Sequence, residues 1–330
     1  GQVTPKYMEL REMLAGYSDK KLPSIPKEFP VINVPKIQFT EVAPLFENLP
    51  APHASMDIQT MEALNQGWGS ILYRTKTPAV PTQSVLTITD AHDFAQVFIN
   101  GKLIGSMLLP AMKEGDQLDI LVEAMGRINF GRAIKDFKGI TEKVELSYTM
   151  STGSQVTVNL KNWQIYTLSD SYQVQKDMKY VPLKDQKVPG CYRATFNLKK
   201  TGDTFLNLET WGKGQVYVNG HAIGRFWKIG PQQTLYMPGC WLKKGENEII
   251  VQDIVGPQET VVEGLSKPII DKLNVNAPNT HRKEGQTLNL AGETPCKAGE
   301  FAPGNGWQEV RFDQPVTGRY VCIEALNSHN

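Results

Sequence analysis

Cysteine is scarce in this chain: Cys191, Cys240, Cys296 and Cys322 are the four among 330 residues. None forms a C-x-x-C pair, which argues against a zinc ribbon or a thioredoxin-like site. Their wide spacing permits a Cys296–Cys322 disulfide and equally permits buried free thiols. Charge of one sign is also lacking, with a net charge of +1 and 21% charged residues. Without a basic excess or a Lys/Arg-rich run with interleaved aromatics, a nucleic-acid partner is not expected. No apolar run approaches the roughly 20 residues that span a bilayer, so no membrane partner is expected either. The chain opens on Thr4-Pro5 and a helix pattern rather than on a signal peptide. No N-x-S/T sequon occurs. Nucleophile elbows (G-x-S-x-G), H-E-x-x-H helices and P-loops are absent. Metal ligands and cofactors are therefore not expected.

What is present is β structure, some of it written twice. Q-V-F-I-N-G-K-L-I-G (Gln96–Gly105) returns as Q-V-Y-V-N-G-H-A-I-G (Gln215–Gly224). Val97 and Ile99, and in the second copy Val216 and Val218, have the period of a strand. Asn100-Gly101 and Asn219-Gly220 supply the two positive-φ residues of a type I′ hairpin turn. Tyr73-Arg74 and Tyr192-Arg193 repeat at the same spacing as the two phrases, each inside an apolar run. The chain therefore contains a duplicated β domain.

Along the chain, Thr4–Ala15 reads as a helix with Thr4 as N-cap, Pro5 at its first position and Gly16 as terminator. Pro23, Pro26, Pro30 and Pro35 mark an extended linker. Short strands come next, at Ser70–Thr75, Ser84–Ile88, Ala95–Ile99, Leu118–Glu123, Val144–Tyr148 and Gln155–Leu160. After a linker-like stretch, Tyr180–Gly190, come Tyr192–Leu198, Thr204–Leu208, Gln215–Val218, Thr234–Met237 and Glu248–Val251. Such spacing argues for mainly-β tandem sandwiches or jelly rolls rather than βαβ units. A third region from about Asn276 shows one strand pair, Trp307–Phe312 and Gly318–Ala325.

Few residues offer chemistry. His53, His92, His221, His281 and His329 are scattered over turns and loops. Asp90-Ala91-His92-Asp93 is the densest acid/base cluster, and it reads as a polar turn before a strand, with Asp side chains bonding backbone N–H groups. No carboxylates stand out as the facing pair that glycoside hydrolysis needs. Trp211, Trp227, Tyr236 and Trp241 crowd the second repeat, where core packing is the first expectation and stacking on sugar the second.

The segments W-G-K-G-Q-V-Y-V-N-G-H-A-I-G-R-F-W (Trp211–Trp227), G-P-Q-Q-T-L-Y-M-P (Gly230–Pro238) and L-K-K-G-E-N-E-I-I-V (Leu242–Val251) resemble the C-terminal jelly roll of glycoside hydrolase family 35 β-galactosidases. E-A-M-G-R-I-N-F-G (Glu123–Gly131), K-D-F-K-G-I (Lys135–Ile140), L-Y-R-T (Leu72–Thr75) and N-W-Q-I-Y-T-L (Asn162–Leu168) are similar to the family's middle β domain. T-P-K-Y (Thr4–Tyr7) is similar to the segment that closes its (β/α)8 barrel, and Trp307–Leu326 resembles the opening strands of a discoidin-type (F5/8 type C) domain.

The resemblance implies four parts: residues 1–24 as the end of the barrel, 25–180 as a first β-sandwich with its linker, 181–275 as a galactose-binding-like jelly roll, and 276–330 as a partial discoidin-like domain. It implies the non-catalytic portion of a retaining exo-β-galactosidase, packed on its own barrel, acting on terminal β-galactosyl groups of a carbohydrate substrate. The two catalytic glutamates of the family lie on the barrel, outside these residues. The alternative is an autonomous carbohydrate-binding or structural module without activity, for which a barrel-closing helix has no use. Substrate contacts are implied for the loop Arg127-Ile128-Asn129-Phe130-Gly131. Phe130 stands there where relatives often carry Tyr, with Arg127 and Asn129 holding the loop by hydrogen bonds; Phe130 as a core plug is the competing reading. A periplasmic or extracellular bacterial protein fits the lack of sequons, and lysosomal members of the family exist.

Overall fold

The computed structural model describes residues 3–272, apart from 106, 132 and 133. The expected discoidin-like region, with Cys296, Cys322, His281 and His329, lies outside the described residues. Thr4 caps the helix Pro5–Tyr17 through its side chain, which accepts the N–H of Tyr7. The helix passes through Gly16 instead of stopping there and is capped at Ser18. One interior glycine costs a helix only about 1 kcal/mol, too little to end it.

Beyond the helix stand two β-sandwiches, each a six-stranded sheet facing a four-stranded one. In the first, the larger sheet runs His53–Ser55, Trp163–Leu168, Ser70–Lys76, Gln117–Glu123, Phe94–Ile99, Lys102–Ile104 in spatial order. In the second the order is Val181–Pro182, Glu41–Pro44, Gly190–Leu198, Gly245–Asp253, Lys213–Val218, His221–Trp227. The last four strands of each correspond, so the duplication seen in the sequence is a duplication of topology. Both Tyr-Arg pairs sit in equivalent strands. Tyr73 packs edge-on against Trp163, and Tyr192 packs edge-on against Trp211. The adjacent arginines pair with carboxylates on neighbouring strands, Arg74 with Asp119 and Arg193 with Glu41.

One assignment differs from the sequence reading. Val34–Gln38 and Glu41–Pro44, placed with the first sandwich by the 25–180 boundary, pair instead with Val261–Leu265 and Gly190–Leu198 of the second. The first sandwich is thus inserted between strands of the second. Hydrophobic alternation marks a strand but carries no record of its partner, and Pro35 within Val34–Gln38, with Pro30 before it, made that segment look like linker.

The inner face of the first large sheet (Ile71, Tyr73, Val97, Ile120, Trp163) closes the first core. Its outer face (Leu72, Phe94, Phe98, Leu121, Tyr166) packs with Phe46, Trp227 and Ile254, which joins the two sandwiches through an apolar layer. Of the four aromatics singled out in the second repeat, Trp211 is fully buried, Trp227 and Trp241 are partly buried, and Tyr236 is exposed. Cys191 is also buried, its thiol donating to Gln175 Oε1 at 2.7 Å, and burial pushes its pKa up. Such a thiol is inert.

Both hairpin turns are type I′ in form, with φ of 49° and 77° at Asn100 and Gly101, and 50° and 88° at Asn219 and Gly220. A Cβ at Gly101 meets nothing within 4 Å. Gly101→Val should therefore cost stability through backbone strain alone, about 1–3 kcal/mol. Gly105→Val nearby, with equal room and no positive φ, should cost less. Urea denaturation of the two variants measures the difference, and equal midpoints would refute the strain argument.

Candidate functional site

The loop between strand Gln117–Glu123 and the short strand Gly139–Ile140 holds all three residues expected to face substrate. Its base is a polar pedestal. Lys138 is 1% exposed, yet its ammonium donates to Asp93 Oδ2 at 2.9 Å and to the carbonyl of Gly126 at 2.8 Å, and pairs with Asp136 at 3.0 Å. Burial works against its charge, but Asp93 and Asp136 outweigh this and hold its pKa above the ordinary lysine value. Asp93 also accepts the N–H of Met125 at 2.6 Å, and Asp136 accepts that of Ile128 at 3.0 Å. A buried cation satisfied by two carboxylates and a carbonyl fixes where the chain leaves the sheet.

Arg127 supplies the second tie. Its guanidinium donates to the carbonyls of Asp136 (2.7 Å) and Gly67 (2.8 Å) and pairs with Glu62 at 2.6 Å. Burial raises the pKa of Glu62, but its own N–H, that of Lys138 and Arg127 together bring it below the ordinary value. Arg127 thus ties the loop to Gly67 and Glu62. Asn129 differs: it is exposed and bonds to none of the described residues.

Phe130 is 91% exposed and belongs to neither described sandwich core. Gly131, at φ 123°, turns the chain just after it. Trp68 (70% exposed), Ile128 and Ile134 are exposed on the same pair of loops. The site is therefore a braced loop presenting apolar side chains to solvent. It has the means to stack on a ligand's apolar surface.

Asp90-Ala91-His92-Asp93 lies beside the pedestal. Ala91–His92 pairs with Gly139–Ile140, and His92 Nε2 lies 2.9 Å from Asp90 and its Nδ1 3.5 Å from Asp136. The turn reading captured Asp93 bonding a backbone N–H. It missed Lys138, because a lysine in sequence is read as exposed. Among the described residues, no group of three or more His, Cys, Asp or Glu could hold a metal ion.

A family profile described as "Beta-galactosidase, first all-beta domain" matches residues 59–169, and "Beta-galactosidase, galactose-binding domain" matches 189–247. Beta-galactosidase-1-like protein 3 of Rattus norvegicus is 34% identical over 76% of this chain and 41% of its own length. Beta-galactosidase 1 of Dictyostelium discoideum is 31% identical over 82% of this chain and 46% of its own. The beta-galactosidase of Xanthomonas manihotis is 32% identical over 72% and 39% respectively. The chain spans less than half the length of each of these relatives. With both β domains matched in order, the chain belongs to the family 35 β-galactosidases, of which it carries the first all-beta and galactose-binding domains.

Proposed function

We propose that the chain serves as the non-catalytic part of a retaining exo-β-galactosidase that hydrolyses terminal β-galactosyl groups. In that role it packs on the catalytic barrel, and its loop Arg127–Gly131 helps bind substrate. The barrel's two carboxylates, about 5 Å apart in a retaining enzyme, carry the chemistry as acid/base and nucleophile. This chain supplies a fixed wall. Phe130 offers an aromatic face to the apolar side of the sugar or group beyond the scissile bond. Lacking a phenol hydroxyl, it gives no hydrogen bond there. Arg127 keeps the loop in place, and Asn129 is left free to bond substrate.

The observation that carries the reading is the combination at one loop: a side chain 91% exposed on a base tied down by a buried lysine and an arginine. Trp68, Ile128, Phe130 and Ile134 are exposed on these two loops, and a cluster of large exposed apolar side chains marks an interaction site where a single one would not. The helix Pro5–Tyr17 supports the docked reading over a free-standing module. None of its residues is buried, and Met8, Leu10, Met13 and Leu14 are exposed, which leaves an apolar surface for a barrel to cover.

Two outcomes test this. Residues 1–330 alone should release no product from a chromogenic β-galactoside; turnover abolished by changing a carboxylate within them would overturn the assignment. In the protein that joins this chain to a barrel, Phe130→Ala should raise KM for disaccharides several-fold more than for small aryl galactosides, leaving kcat nearly unchanged, as loss of uniform binding requires. Equal effects on both substrates would remove Phe130 from the site.

A further inference from the structure

We propose that Arg225, on the second sandwich, is a positioning residue for the loop 124–131 of the first, so that the galactose-binding domain sets where Phe130 stands without touching substrate. The functional consequence rests on the reading of Phe130 above; the structural tie stands on its own.

The loop begins at Ala124, whose residue is buried. On one side the Ala124 N–H donates to the carbonyl of Gly69 at 2.9 Å, within the first sandwich. On the other, its carbonyl accepts Arg225 Nη1 at 3.1 Å, across the junction between sandwiches. The guanidinium is itself placed by carboxylates, Nη2 lying 3.6 Å from Asp170 and Nη1 3.9 Å from Glu123. Beside it, Lys213 of the second sandwich pairs with Glu123, the residue just before Ala124. Lys213 lies 4.3 Å from the centre of the Trp227 ring, and Trp227 packs edge-on against Phe94 of the first sandwich. The end of strand Gln117–Glu123 is thus gripped from the second sandwich by two cations and an indole.

The hairpins show how Arg225 comes to point there. In the first copy, Val97 pairs with Ile104 in unbroken register. In the second, Tyr217 pairs with Ala222 but Val216 pairs with Gly224, which leaves Ile223 as an extra residue, with Gly224 at φ 146°. A bulge of this kind re-aims the side chains on its C-terminal side. Those side chains belong to Arg225, Phe226 and Trp227, of which Phe226 goes into the second core and the other two reach the junction. Within the loop, Met125, Gly126, Arg127 and Ile128 are held by groups of the first sandwich. Arg225 is the tie that comes from the second.

The experiment uses the barrel-bearing protein and compares Arg225→Ala, Arg225→Lys and Phe130→Ala. Hydrogen exchange of the peptide covering 124–131 should quicken about tenfold in Arg225→Ala, as expected for one lost charge-assisted hydrogen bond, while peptides covering 94–99 and 213–218 keep their rates. Arg225→Lys, which keeps the charge, should fall between. The KM ratio of disaccharide to aryl galactoside should move in Arg225→Ala in the same direction as in Phe130→Ala. Unchanged exchange at 124–131 overturns the proposal, as does faster exchange spread evenly over both sandwiches. A loosened loop with an unmoved KM ratio, where Phe130→Ala does move it, overturns the positioning role. If Phe130→Ala itself leaves the ratio unmoved, the reading of Phe130 fails, and the tie is judged by exchange alone.

Discussion

Lys213→Met should destabilise the protein by about 3–5 kcal/mol, the range for removing one partner of a buried ion pair. Lys213 and Glu123 are both nearly inaccessible, and they pair across the junction of the two sandwiches. Methionine fills most of the lysine's volume between Phe94 and Trp227, so the loss does not come from a cavity. It comes from leaving the Glu123 carboxylate in an apolar layer with, among the described residues, only Arg225 at 3.9 Å to answer its charge. The same cause has two further results. The double variant Lys213→Met, Glu123→Leu should recover much of the loss, because no charge is then buried unpaired. Lys213→Met should also loosen the coupling between sandwiches, so that urea unfolding broadens or splits into two steps, with a lower apparent m-value. A single variant that loses under about 1 kcal/mol would mean that water reaches the pair and that its stability value is that of a surface bridge.

Much of the fold is local and was readable. Each of the eleven strands expected from alternation within the described residues lies within or overlaps an observed strand, from Ser70–Lys76 to Gly245–Asp253. The Asn-Gly turns fixed both hairpins because a type I′ turn has few other solutions. What the sequence did not show was which strands meet. The edge strands Val34–Gln38 and Glu41–Pro44 find partners more than a hundred residues away. Nor did it show burial of charge. Lys138 and Lys213 look like solvated lysines until the fold surrounds them with carboxylates, and their residue type points the wrong way. For the loop, the resemblance marked Arg127 and Phe130. The geometry then separated their roles: one side chain holds the loop while the other faces solvent.

Asp253 gives the same lesson, and a second large effect. It ends strand Gly245–Asp253 fully buried, and its carboxylate accepts the N–H groups of Gly212, Lys213, Val255 and Gly256 at 2.7 to 3.2 Å. It therefore ties the start of the second hairpin to the turn after the strand. Asp253→Ala leaves four donors without this acceptor, those of Gly212 and Lys213 buried and those of Val255 and Gly256 part-buried. At about 1–3 kcal/mol for each buried group stranded, a loss of about 4 kcal/mol is expected. Asp253→Asn keeps one acceptor oxygen for Lys213, Val255 and Gly256 but turns an amide N–H₂ or a lost contact toward Gly212, so it should fall between. Acid unfolding separates charge from hydrogen bonding. Burial raises the pKa of Asp253 above its ordinary 3.8, with the four N–H groups only partly offsetting it. A raised folded pKa means the folded state holds the proton more tightly than the unfolded chain. The stability this contributes is fully present below about 3.8 and is lost as pH rises through the folded value. Asp136 and Glu62, whose pKa values are lowered, act in the opposite sense, losing stability as pH falls, but they do so equally in wild type and variant. Hence the gap in urea midpoint between wild type and Asp253→Asn should be widest near pH 3 and narrow toward neutrality. A gap that instead grows with pH would show that Asp253 is stabilised as an anion, with its hydrogen bonds outweighing burial.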